Sequence, residues 1–289
     1  MLSIGKSMNQ NFTVNFIREV KNRHLLVSNQ TTELIIRQVR NKIAANTRKP
    51  LTLLLIGGTG TGKTELYKAL AASLRVKEQR IEERNSVVTI EATPILKYFR
   101  RCHDSQCVIE FHYSDRWRHS QHFWSKLREF LATGEIGSRM GAAICPQNTI
   151  VCITTCVASH KFSVSESEHH TNAIWSSCSE FPDFLHEVVD QVVTLTKWSE
   201  DELIQLATFT MQKVAARYGM YLLIESKYLL ALLVKSEVNE SGARGIMSVC
   251  EYILSEANIV ELMEKGIRVV KLVPQWNLSQ DYKYKLVPV

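Results

Sequence analysis

Apolar residues along this chain form short continuous runs separated by stretches of helical spacing. Leu51–Ile56 is an uninterrupted apolar run bar Thr52, and Thr149–Thr155 (TIVCITT) is β-branched and continuous. Runs of this kind predict strands buried on both faces of a parallel sheet. Val87–Ile90, Cys107–Phe111 and Gln191–Leu195 read as three more strands. Between them Leu34, Ile35, Val39 and Ile43 recur at helical spacing within Thr31–Ala45. Phe123, Trp124, Leu127, Phe130 and Leu131 do the same in a helix ending near Gly134. Strands alternating with helices predict an α/β fold built on a parallel sheet flanked by helices.

The pattern changes after Thr196. Ser199 and Glu202 form a capping-box signature for a helix running to about Tyr218. Ser226–Val234 and Gly245–Leu262 read as further helices, and Val269–Val273 as a terminal strand. Residues 1–24 are polar and poorly periodic. The expected organisation is an N-terminal arm (1–24), an α/β domain (25–196) and a small, mainly helical domain (197–289).

Composition bounds the function classes. Over 289 residues, 45% hydrophobic and 22% charged residues describe an ordinary globular chain with ample length for a core. The longest apolar runs, Leu51–Ile56 and Tyr228–Val234, fall far short of the roughly 18–20 residues of a membrane span. The net charge of +6 is spread along the chain, a solvated basic surface that does not argue for nucleic acid. Seven cysteines without framework spacing suggest a reducing compartment, with the cytoplasm as first expectation. The first 25 residues contain no secretory h-region. Lys6, Arg18, Lys21 and Arg23 against Glu19 alone leave a transit segment, and with it an organelle matrix, as an open alternative.

The strongest chemical signal is Gly57-Gly58-Thr59-Gly60-Thr61-Gly62-Lys63-Thr64, which satisfies the Walker A pattern between a strand and a helix-like segment, Glu65–Leu74. Glycines let the backbone N–H groups face a phosphate chain, and the helix start adds its positive dipole end. Lys63 would pair with the β- and γ-phosphates, and Thr64 would offer its hydroxyl to Mg²⁺. With Glu65 opening the helix, these residues are the expected site for ATP or ADP.

Four segments carry a family resemblance. They are residues 49–63 (KPLTLLLIGGTGTGK), 62–71 (GKTELYKALA), 130–156 (FLATGEIGSRMGAAICPQNTIVCITTC) and Ser241-Gly242-Ala243-Arg244. The first is similar to the torsin phosphate loop, the second and third to the Clp disaggregases, and the last to the Clp sensor-2 motif. Over roughly residues 24–265 the chain resembles the AAA+ ATPases of the Clp and torsin branch. The resemblance implies a P-loop AAA+ sheet with a C-terminal helical lid, Arg244 reporting on the γ-phosphate, and work with a protein partner or in an AAA+ oligomer. A torsin likeness would also imply the endoplasmic reticulum lumen.

The departures from the family pattern bear on hydrolysis. The Walker B Asp-Glu pair falls on His112 and Tyr113, which bring no carboxylate to Mg²⁺ or to an attacking water. Glu110, deeper in the same strand, and Asp115, beyond it, are the acids that could substitute. The sensor-1 asparagine falls on Cys156, and the arginine-finger position on Glu187. Only Ala92–Gln106 separate the second and third strands, too few for an aromatic pore loop. The expectation is a nucleotide-bound regulatory or assembly subunit, a pseudo-ATPase. The alternatives are an active chaperone-like ATPase completed by a partner, and a DNA-associated AAA+ factor resting on net charge alone. Cys102, His103, Cys107, His112, His119 and His122 contain possible zinc ligands, but no C-x-x-C pair, and a histidine-rich basic face is the simpler expectation.

Overall fold

The computed structural model describes residues 2–25, 27–74, 78–81, 107–113, 121–136, 143–144, 147–155, 183–196, 198–225, 245–246, 248, 250–254, 259–275 and 283–289. By their contacts they fall into two compact units. One comprises residues 1–58 and 62–196, the other 59–61 and 197–289.

The first unit is built on five parallel strands. They are β1 (Leu51–Gly57), β2 (Glu78–Ile81), β3 (Val108–Tyr113), β6 (Ile150–Thr155) and β7 (Gln191–Leu195), in the order β2-β3-β6-β1-β7. The short strands β4 (Glu135–Ile136) and β5 (Ala143–Ile144) pair separately and antiparallel. β1 and β6 are buried along their whole length, as continuous apolar runs require when both faces are covered. The expected strand over 87–90 lies outside the described residues, whereas the strand at Glu78–Ile81 follows no marked apolar run. The start of β7 is clamped to β1. Asp190 N–H donates to Thr52 O at 2.9 Å, and Asp190 Oδ2 accepts from Thr52 N–H at 2.8 Å.

Strand register assigns the two faces. Leu53, Cys152 and Glu110 are level on one face, as are Leu55, Thr154 and His112 two residues on. This face shares one apolar core with helices α1 (Leu2–Asn22), α2 (Asn29–Ala45) and α3 (Lys63–Leu74). Helix α2 is capped at both ends. Ser28 Oγ accepts from Thr31 N–H, and Asn46 closes the helix in the left-handed region. Elsewhere in the unit, α4 (Gln121–Thr133) turns Trp124, Leu127, Phe130 and Leu131 inward. It stops at Gly134, where φ is +78° and a Cβ would lie 2.3 Å from the Arg48 carbonyl oxygen, so only glycine fits. The one-turn helix α5 (Leu185–Val188) follows.

The N-terminal arm is a correction. Leu2–Asn22 is one helix, and its Phe12, Phe16 and Val20 are buried at i, i+4 and i+8. The two phenylalanine rings stack at 5.6 Å between centroids. Each such ring contributes about 1.5–3 kcal/mol on burial. Among the side chains described from Asn11 on, the buried stripe is one residue wide, which hides it in the sequence.

In the second unit, helix α6 (Glu200–Arg217) carries the expected capping box. Ser199 N–H donates to Glu202 Oε2 at 2.6 Å, and Ser199 Oγ accepts from Glu202 N–H. Residues 245–246, 248 and 250–254 are helical, and α7 spans Ile259–Glu264. The composition predicts a mainly helical unit. Beside these helices stands a three-stranded sheet, β10 (Lys283–Pro288), β9 (Val269–Gln275) and β8 (Tyr221–Leu223), in which the expected terminal strand Val269–Val273 is the central strand β9; it shares the helices' core through Leu222, Val270, Leu272 and Leu286. β8 is too short, and β10 too lysine-rich, to stand out as apolar runs. The expected helix over 226–234 lies outside the described residues.

Candidate functional site

The phosphate-loop signature stands at the carboxyl end of β1, the strand between β6 and β7. Gly60 and Gly62 have φ values of +76° and +97°, which curl the chain between β1 and α3. At Gly62 a side chain would also meet Leu25 Cδ2 at 3.0 Å. Gly62 O accepts the first helical bond, from Leu66 N–H at 2.8 Å, so α3 opens directly on the loop. Its first residues are Lys63, Thr64 and Glu65. Lys63 is buried, and its Nζ donates to the carbonyls of Gly57 at 2.6 Å and Gly58 at 2.7 Å. The ammonium therefore sits inside the curl of the loop, where phosphate oxygens would compete for the same donors. Thr59–Thr61 group with the second unit, in which Trp198 Nε1 donates to Gly60 O at 3.0 Å.

The chain leaving α1 supports this loop. Beyond Leu25, Arg23 forks between Glu19 of its own helix at 3.3 Å and Glu65 of α3 at 2.7 Å. Glu65 also accepts from Lys68 at 3.1 Å. Burial alone would raise the Glu65 carboxyl, but Lys68 and Arg23 outweigh it and hold it below its ordinary value. Glu65 is thus engaged in ion pairs at the helix start.

The strand-end position expected for a Walker B carboxylate carries different chemistry. His112 Nδ1 lies 3.0 Å from Thr154 Oγ1, which donates to Glu110 Oε1 at 2.9 Å. Glu110 is completely buried and pairs across the strands with Cys152, whose thiol is pushed up by burial and then by the Glu110 charge. Such a thiol is inert, as is Cys250, pushed up to about 12 by burial and by Glu251. Glu110 is held by Thr154 within the sheet rather than standing at its open end. Mg²⁺ prefers hard oxygen ligands, usually carboxylates. Thr64 supplies a hydroxyl, but among the described residues no carboxylate stands at the end of β3, and this site does not fit Mg²⁺ in the usual way. Glu187, where the resemblance would place an arginine finger, pairs with Arg128 of α4 at 2.5 Å, both exposed.

Asp115, Cys156, Arg244 and the side chain of Tyr113 lie outside the described residues, as do Cys102, His103, His119 and the side chain of His122. Among the described residues no group of three or more His, Cys, Asp or Glu could hold a metal by itself, and no helix is long and apolar enough to cross a membrane. Thr154, Arg23, Leu25 and Trp198 carry no motif. Of these, Thr154 is foreshadowed by its alternation with Cys152 in TIVCITT. Compared with the models of known protein families, the chain matches none.

Proposed function

We propose that this chain binds ATP or ADP in the Gly57–Thr64 loop and hydrolyses it slowly or not at all. The observation that carries the reading is the buried Lys63 ammonium inside a positive-φ glycine loop that opens directly on a helix N-terminus. A second observation supports the missing turnover. The end of β3 offers an imidazole tied to a buried carboxylate, and neither group orients water as an exposed carboxylate does. The likeness to Clp and torsin AAA+ proteins then makes nucleotide a structural ligand or switch in a chaperone-related assembly with a protein partner or further copies of the chain. The unbridged, buried thiols of Cys107, Cys152 and Cys250 support a reducing compartment, the cytoplasm first.

Fluorescent ADP and ATP analogues titrated against wild-type protein and Lys63→Ala test the binding half. Wild type should bind, and Lys63→Ala should bind about 10- to 100-fold more weakly, the loss of a charge-assisted hydrogen bond. Equal affinity of the two proteins contradicts the proposal.

A further inference from the structure

The carbonyls of the phosphate loop are held by two different kinds of donor. Those of Gly57 and Gly58 accept from Lys63, a loop residue whose ammonium a phosphate would share. That of Gly60 accepts from Trp198 Nε1–H at 3.0 Å, a residue 138 positions on and outside the motif.

An indole N–H donates and never accepts. It therefore recognises only one of the two orientations open to the Gly60–Thr61 peptide. In a trans peptide the carbonyl and the following N–H lie on opposite edges of one plane. Turned over, this peptide would set its N–H against the indole N–H, and the bond would be lost. Gly60, with φ of +76° and no Cβ, opposes such a turn less than any other residue would. An anion-binding loop depends on that orientation, because successive N–H groups attract a phosphate and a carbonyl oxygen repels it.

The indole is itself anchored. Its ring packs against the apolar core of the second unit, with which Gly60 also groups by its contacts. The next residue, Ser199, caps α6. Trp198 thus fixes the Gly60 carbonyl from a packed core rather than from a mobile surface chain.

We propose that Trp198 is a positioning residue for the phosphate loop, holding the Gly60–Thr61 peptide with its carbonyl edge away from the bound phosphates. This role presupposes the nucleotide reading above.

The test compares wild type, Trp198→Phe and Lys63→Ala as full chains, titrated with ADP and with inorganic pyrophosphate. Phenylalanine keeps a ring on the core and lacks the N–H, and backbone amide spectra show whether each variant is folded. Trp198→Phe should bind both ligands about 10-fold more weakly than wild type, the size of one lost hydrogen bond. In wild type, the indole N–H signal of Trp198 should exchange with solvent more slowly once either ligand is added. A bond that favours the occupied loop is favoured by occupancy in return. Should Trp198→Phe fail to fold, this exchange measurement on wild type decides alone. A folded Trp198→Phe that binds both ligands like wild type, or that loses ADP and keeps pyrophosphate, overturns the positioning role while Lys63-dependent binding stands. An indole signal indifferent to both bound ligands overturns it as well. A wild type that binds ADP no better than Lys63→Ala overturns the nucleotide reading and the positioning role together.

Discussion

Two strand ends on the same edge of one parallel sheet treat charge in opposite ways. After β1, the buried ammonium of Lys63, the first residue of α3, is held by backbone carbonyls of a glycine loop. Two strands away, at the end of β3, a buried carboxyl group, Glu110, accepts at Oε1 from Thr154 within the sheet, with His112 outermost. The first arrangement holds a cation within a glycine loop; the second keeps a carboxyl group inside the sheet. A site that hydrolyses nucleotide needs both ends to face the same phosphate. The difference teaches that the binding and cleaving functions of such a site are separable, because they stand on different strands.

The comparison breaks first if the loop end is not independently supported. Phe16 is fully buried in the helix whose exit places Arg23 and Leu25 against the loop. Phe16→Ala should destabilise the protein by about 3–5 kcal/mol, read from urea unfolding. A loss below about 1 kcal/mol would mean α1 does not belong to this core. Next in size is the loop itself. Gly62→Ala forces a side chain to φ +97° against Leu25, at a cost of about 1–3 kcal/mol, and should weaken nucleotide as well as stability. An alanine variant as stable and as tight as wild type would show that the curl is not required.

The smallest effect concerns the ion pairs at the start of α3. Glu65 has its carboxyl held below the ordinary value of 4.5 in the folded protein. A depressed carboxyl contributes stability that is present above the unfolded value and is lost as pH falls through the folded one. Glu65→Gln should therefore remove part of the stability difference between neutral pH and pH below 4.5, amounting to less than about 1 kcal/mol because the side chain is 43% exposed. An unchanged acid profile would show that Arg23 and Lys68 do not act on it in solution.

Legibility in the sequence followed the strength of each local signal. The Walker A pattern, the capping box of α6 and the continuous strands β1 and β6 each combine composition with spacing, and each appears where those signals place it. Helix α1 is obscured because Phe12, Phe16 and Val20, buried among its described side chains, are scattered between polar neighbours, and its helicity is fixed by packing on α3 rather than by periodicity. In the second unit β9 is legible as Val269–Val273, but its sheet is not, because β8 spans three residues and its pairing with β9 joins positions 48 apart, Tyr221 with Val269. At the site, that His112 rather than a carboxylate ends β3 is plain from the sequence. The hydrogen bonds joining His112, Thr154 and Glu110 are not, since they depend on register placing Thr154 level with His112, a relation no single strand's sequence contains.

The central claim is that the nucleotide site of this chain is retained without its cleaving half. Nucleotide affinity and steady-state phosphate release, measured on one purified sample with Lys63→Ala as control and candidate protein partners added, test it most directly. The prediction is Lys63-dependent binding with phosphate release no greater than that of Lys63→Ala. Robust phosphate release that disappears in Lys63→Ala would contradict it.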